Sequence, residues 1–294
     1  MILVTGASGR IGRATARLLV EEYGLAPRVL ARDPGRARGV LPAGVDFYTG
    51  DFADPTSLVP ALDGVDKVLL NSPAVPEQVE WQGNLVRAAP PAAHIVKISG
   101  LGTGLDSYVS SGRRHALTEE AIRRSGRPHT FLRPYCFLQN LAFQFDSARR
   151  HGEIRSGVGE ARIAMVDVED IAAVAARLLA GKADLKNRAR PLTGPAALGY
   201  AEIAAAFTDM LGRRVVYRPQ SLDEVRHNLA GSGQPRWRVE LMLEFNRAFS
   251  EGLAAAVDPT VPDVLGRPAR SLRQYLDAAL GSPPAGGDEN PFPS

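Results

Sequence analysis

The first twelve residues constrain this chain more than any other stretch. Ile2-Leu3-Val4-Thr5 is a short, largely β-branched run, and Gly6-Ala7-Ser8-Gly9-Arg10-Ile11-Gly12 follows it with no spacer. Ile11, Ala14 and Leu18 then recur at the spacing of one helix face. Strand, glycine-rich turn and helix, in that order, form a phosphate-binding unit. Gly6 permits the tight turn, Gly9 lets the backbone approach a pyrophosphate, and Gly12 lets the helix pack on the strand. The start of the helix adds free N–H groups and a partial positive charge. The expected dinucleotide contacts are therefore Gly6, Ser8, Gly9, Arg10, Ile11 and Gly12. The spacing is G-x-x-G-x-x-G rather than G-x-G-x-x-G, so the flanking strand and helix carry the reading, not the string.

The same alternation continues. Apolar runs at 2–5, 28–31, 46–48, 67–70, 95–99 and 130–133 read as strands. Helical patterns fall between them at 11–23, 55–62, 76–89 and 113–125. Short loops joining strands to helices predict an α/β fold, a doubly wound parallel sheet of Rossmann type covered on both faces. After residue 150 the pattern loosens into helices at 167–180, 200–211, 222–229, 238–249 and 271–280. Short strands are expected near 190–193 and 215–218. This predicts a dinucleotide-binding domain over 1–150 and a smaller, mostly helical substrate lobe over 151–280, interleaved with it. Residues 281–294, rich in Gly and Pro, read as a disordered tail.

Composition excludes several classes. Among 294 residues the formal charge is only +3, with no basic face or recognition motif, so no nucleic-acid partner is expected. Cys136 is the single cysteine, which rules out an intrachain disulfide and a cysteine-built zinc site. The histidines show no metal-ligand spacing, so no metal is expected. No apolar run reaches the roughly 18 residues of a membrane span. No charged or apolar leader precedes the first strand, and the expectation is a soluble, cytoplasmic protein.

Thr5-Gly6-Ala7-Ser8-Gly9-Arg10-Ile11-Gly12 resembles the opening of the extended and atypical short-chain dehydrogenases/reductases. Gly50-Asp51-Phe52, with Asp54 and Leu58, is similar as well, as is the run from Ala61 to Asp66. Ser125-Gly126, Thr130, Leu132-Arg133-Pro134, Phe137 and Asn140 resemble the NmrA-like branch. The resemblance implies NAD(P) binding, with Asp51 and Phe52 beside the adenine. Asn71, Ser72 and Pro73, directly after the fourth strand, either border the middle of the cofactor or are ordinary loop residues. Pro134 and Tyr135 would wall the nicotinamide, with Tyr135 and Phe137 lining the substrate space. Phe137, Phe143 and Phe145 either line a flat pocket there or pack the core, and core packing is the stronger reading.

Arg32 is the first polar residue after the second strand, and its guanidinium suits a 2′-phosphate, so NADP(H) is the expected cofactor. Arg10 offers a second cation. Asp33 dissents: it either caps the following turn or contacts an NAD ribose. The Tyr-x-x-x-Lys pair of orthodox short-chain dehydrogenases is absent, since none of the seven tyrosines has lysine four residues on. His115 and Glu119 stand there instead, four apart on one helix face. They read either as a proton donor oriented by a carboxylate or as a surface ion pair. Ser99 is the positional heir of the usual serine or simply a strand-end turn residue. Lys97, alternating with it, is a weaker candidate for cofactor contact or proton relay.

Two functions remain open. One is an NADPH-dependent oxidoreductase delivering hydride to a small molecule: a quinone, enone, imine or ketone. The other is a non-catalytic NAD(P) redox sensor that acts through a protein partner, as some NmrA-like proteins do.

Overall fold

The computed structural model describes residues 1–281. Its strands are β1 (Ile2–Val4), β2 (Arg28–Ala31), β3 (Asp46–Thr49), β4 (Lys67–Leu70) and β5 (His94–Ile98). β6 (His129–Pro134), β7 (Glu153–Ser156), β8 (Arg188–Leu192) and β9 (Val216–Pro219) complete the set. Helices of the first half are α1 (Arg10–Glu21), α2 (Pro34–Arg38), α3 (Pro55–Leu62), α4 (Gln78–Ala88) and α5 (Ser110–Arg124). Then come α6 (Leu141–His151), α7 (Val168–Leu179), α8 (Tyr200–Leu211) and α9 (Leu222–Ala230). The last three are α10 (Arg236–Ser250), α11 (Thr260–Leu265) and α12 (Leu272–Gly281).

Seven strands form one sheet in the order β3-β2-β1-β4-β5-β6-β8, every pair parallel. The expected doubly wound α/β sheet is present. Strand order reverses between β1 and β4, and the crevice above the carboxyl ends there is where such sheets bind ligands. On one face, Val4, Val96 and Leu132 pack against α1 and α7 through Leu18, Ile171 and Val174. On the other, Leu3, Val68, Ile95 and Phe131 meet Leu58, Leu85 and Ile122 of α3, α4 and α5. A third cluster, holding Leu141, Ile154, Phe207 and Leu276, belongs to the second lobe, where β7 and β9 form a separate parallel pair.

The expected division at residue 150 does not bound the sheet. β8 adds its seventh strand, and α7 packs in the α1 layer. The predicted tail lies, apart from Gly281, outside the described residues. Among the described residues no helix is long and apolar enough to cross a membrane, and no group of three or more His, Cys, Asp or Glu could hold a metal ion.

Local chemistry explains the boundaries. Asp54 caps α3 by accepting from Thr56 N at 3.0 Å, and Pro55 fills the first helical position. Two glycines shape the first turn. Gly6 has φ +61°, and a Cβ there would sit 2.7 Å from the Asn71 carbonyl oxygen. A Cβ on Gly12 would fall 2.3 Å from the Gly6 carbonyl oxygen, so α1 can approach β1 this closely only without a side chain. At Gly9 the same atom would meet only Gly6 O, at 3.3 Å. In urea unfolding, Gly12→Ala is expected to cost about 1–3 kcal/mol, the usual scale of overpacking. Gly9→Ala should cost clearly less, and equal losses would refute this account of the turn.

Candidate active site

The crevice is latched across its floor. Thr5 Oγ1 lies 2.8 Å from Leu69 O and accepts from Asn71 N at 2.9 Å, joining the glycine turn to the end of β4. Gly9 caps α1 with no side-chain hydrogen bond, so the first N–H groups of that helix stay open to a ligand. Ser8 and Gly9 are exposed, Arg10 is half-buried, and Ile11 and Gly12 pack inward. Arg32 is exposed at the end of β2, and Asp33 directly precedes α2. Asp51 turns its Oδ1 onto Ala53 N at 2.9 Å, while the Phe52 carbonyl accepts from Asn84 Nδ2 at 2.8 Å. Ser72 Oγ accepts from Gln82 Nε2 at 2.8 Å, and Pro73 is exposed. A cleft of about 590 Å³ runs along α1, lined by Arg10, Arg13, Arg17, Val40, Val168 and Glu169. It touches the glycine turn only through Arg10, so the strand ends, not this cleft, define the site.

The residues expected to be catalytic meet beneath α5, in an arrangement their spacing does not show. β5 directs Lys97 and Ser99 toward α5, and β6 directs Arg133 the same way. Glu119, with no exposed surface, accepts from Ser99 Oγ at 2.7 Å through Oε1. Arg133 grips both of its oxygens, Nε to Oε1 at 3.0 Å and a terminal nitrogen to Oε2 at 2.5 Å. Arg123 adds a third partner at 3.0 Å. Thus Glu119 serves Ser99 and two arginines rather than His115, and the expected His115–Glu119 hydrogen bond gives way to a stronger ionic offer from the sheet. Nor are the two residues a surface pair, because both are buried.

His115 finds a different partner. Lys97 Nζ is 3.0 Å from His115 Nδ1 and 3.3 Å from Ile98 O. Lys97 has no exposed surface, so its influence on any bound molecule passes through the imidazole rather than by direct contact. Burial lowers the Lys97 amine to about 7, with Arg133 pushing the same way and Glu119 opposing. Burial, then the nearby charges of Lys97, Arg114 and Arg133, hold His115 well below the ordinary histidine range. The histidine is therefore neutral at pH 7, so as the expected proton donor it holds no charge of its own to give up. Ser99 has its hydroxyl proton committed to Glu119. The start of α5 is held from the second lobe, where Glu244 accepts from Ser110 N and Oγ at 2.8 and 2.6 Å.

Pro134 is buried at the end of β6, and Tyr135 and Phe137 are half-buried beyond it. Tyr135 packs on the second-lobe core, whereas Phe137 leans on the cluster under α1. Phe145 is core-packed, edge-on to Phe207, but Phe143 is 56% exposed and lies outside the core where it was expected. Burial pushes the Cys136 thiol up to about 11, which leaves it unreactive. Sequence reasoning gave Arg133 no role. Its strand position did hold the signal, since a cation alternating with Phe131 on a covered face requires a buried acid.

The residues fit a dinucleotide. The glycine turn is open where a pyrophosphate would lie, and among the described residues Arg10 and Arg32 have no ion-pair partner. A parallel sheet with such a turn beside its reversal point defines a dinucleotide-binding protein. The NmrA-like family profile matches residues 1–265, and the chain belongs to that family. It is 38% identical over 280 residues to the NAD(P)H azoreductase of Xenophilus azovorans, covering 95% of this chain and 97% of that protein. It is 35% identical to the (4-alkanoyl-5-oxo-2,5-dihydrofuran-3-yl)methyl phosphate reductase of Streptomyces griseus, covering 94% and 96%. The NADPH complex of an NADPH-dependent quinone oxidoreductase from Escherichia coli superposes with a TM-score of 0.86 at 25% identity, covering 95% of this chain and 100% of the other.

Two outcomes follow from the buried charges. Glu119→Ala leaves Arg133 unpaired against the sheet and should cost about 3–5 kcal/mol in denaturant unfolding. Lys97 carries the opposite sign. Its folded pKa of about 7 lies below the ordinary 10.5, so between them the unfolded chain binds more protons and stability rises with pH. The penalty for burying the ammonium is complete below about 7 and gone above 10.5. Melting curves should show Lys97→Met more stable than wild type at neutral pH, with the gap closing in alkali. A gap independent of pH would contradict the lowered amine.

Proposed function

We propose that this chain reduces flat conjugated electrophiles, quinones and azo compounds foremost, with NADPH held across the β1/β4 crevice. It is an NAD(P)H-dependent oxidoreductase of atypical short-chain dehydrogenase type, and its substrates are small molecules. The observation that carries the substrate reading is the polar cluster under α5, which lacks a tyrosine acid but keeps a neutral imidazole braced by an amine. A quinone makes little demand on such a site, because its reduced oxygens are phenol-like and take protons from water. The relatives named azoreductase and quinone oxidoreductase support the same substrate class.

When bound, NADPH supplies the hydride. The chain's own part is placement. Backbone N–H groups of Ser8, Arg10 and Ile11 would hold the pyrophosphate, while the Gly9 N–H closes the turn onto Gly6 O at 3.0 Å and the lack of a Gly9 side chain leaves room for it. Arg32, with Arg10, receives the 2′-phosphate, and Asp33 serves the start of α2. Asp51 and Phe52 flank the adenine end, and Asn71, Ser72 and Pro73 support the middle of the cofactor. Pro134 and Tyr135 would border the nicotinamide, with the half-buried Tyr135 and Phe137 at the edge of the substrate space.

The test is NADPH oxidation by the purified chain against a panel of small quinones, azo dyes and conjugated carbonyls. Turnover with quinones and azo dyes is expected. Tight NADPH binding with no oxidation by any acceptor would instead favour a redox sensor working through a protein partner. NADPH should bind more tightly than NADH, and Arg32→Ala should remove about tenfold or more of that preference, the scale of one charge-assisted hydrogen bond. Equal affinity of the wild type for both cofactors would overturn the assignment of Arg32.

A further inference from the structure

We infer that Lys97 is the proton source for this reduction and that His115 passes the proton on, as a two-residue relay buried under α5. The inference rests on the reductase reading and adds to it the origin of the proton. Geometry carries it. The Lys97 ammonium has only donors, so at 3.0 Å it makes His115 Nδ1 the acceptor and leaves the ring proton on Nε2. That nitrogen faces Gly100, just past the end of β5 at the crevice: a Cβ built on Gly100 would lie 3.2 Å from it. Gly100 thus leaves the space in which the ring edge sits. The other end of the relay is closed, because Lys97 has no exposed surface and its second contact is the Ile98 carbonyl oxygen at 3.3 Å.

The surroundings explain why neither residue suffices alone. His115 cannot store a proton of its own, because Lys97, Arg114 from its own helix and Arg133 from β6 all oppose a charged ring. A neutral imidazole that simply gave up its Nε2 proton would become an anion. The proton can leave Nε2 only if another reaches Nδ1 at the same time, and Lys97 stands there to supply it. Burial and Arg133 favour release from the amine, while Glu119 restrains it, so the amine gives up its proton near neutrality.

The step balances. With the hydride's two electrons coming from bound NADPH, the N–H bond at Nε2 would break as a new bond forms to the reduced nitrogen or oxygen, and Nδ1 would take a proton from Nζ. Lys97 ends as a neutral amine and His115 as the other neutral tautomer. A proton from water at Nε2 and return of the Nδ1 proton to Nζ restore the start. Lys97 touches neither substrate nor cofactor, so it is a positioning and supplying residue that acts through His115. The relay matters in proportion to the basicity of the product: greatly for a ketone or azo nitrogen, little for a quinone oxygen.

The test compares wild type, Lys97→Met and His115→Ala with one quinone and one proton-demanding acceptor, an azo dye or a ketone. With the proton-demanding acceptor, the wild-type kcat should fall as pH rises through about 7. Both variants should lose about 100-fold or more at neutral pH, the scale of a lost general acid, and Lys97→Met should lose the pH step. Quinone turnover should fall far less than this in both variants and NADPH affinity should hold, a split between acceptors that general loss of structure does not produce. A measurement on the unsubstituted protein covers the case of a misfolded variant. Nitrogen NMR of His115 should show a bare Nδ1 and a protonated Nε2, with Nδ1 responding to a titration near 7 that is not the ring's own. A proton on Nδ1 throughout, or Lys97→Met with an unaltered pH profile, overturns the relay and leaves the reductase reading standing. Wild-type protein inert toward every acceptor overturns both.

Discussion

One carboxylate with no exposed surface holds the site in register. Glu119 ties Ser99 at the end of β5, Arg133 in β6 and Arg123 on its own helix to a single point. A lone buried carboxylate would be driven to take up a proton, and a lone buried guanidinium would be expelled. Together they satisfy one another and tie α5 to the ends of β5 and β6 at one point. His115, one turn nearer the crevice on the same helix, inherits its position from this clamp. The pairing sets geometry more than it adds stability, because the cost of drying two ions offsets much of their attraction.

The clamp leaves the chemistry beside it electrically lopsided. Arg133 and Arg114 surround a space in which Glu119 is already committed, so any further positive charge is disfavoured. A lysine and a histidine share that space, and the field keeps the ring neutral while loosening the amine's hold on its proton. In orthodox short-chain dehydrogenases tyrosine and lysine lie four residues apart on one helix. Here the two nitrogen bases come from a strand and a helix and face each other across the core.

Period and punctuation were enough to place the first six strands to within a residue or so, because buried parallel strands are short apolar runs between strong turn signals. The second lobe was harder to read. β7, Glu153-Ile154-Arg155-Ser156, is too short and too charged to announce a strand, and its partner β9 lies some sixty residues on. α6 begins directly after a 3₁₀ turn with no side-chain cap, so nothing in residues 138–141 marks its start. The glycine turn was legible because its chemistry is local. The polar cluster was not, because spacing along a helix shows which residues share a face but not what the sheet beneath offers them. His115 and Glu119 share a face, yet Lys97 takes one and Arg133 the other.

The route of the chain between its two lobes has a mechanical consequence. After β6 it leaves the main sheet for α6 and β7, and it returns for α7 and β8. It leaves again for α8, comes back at α11 against α7, and departs once more into α12. A protein whose lobes are joined by one linker can open like a door. This one is stitched through, and a swing about any single joint would strain the others. Admission of a small molecule would then come from small sliding displacements spread over many crossings, which favours a narrow slot over a wide mouth.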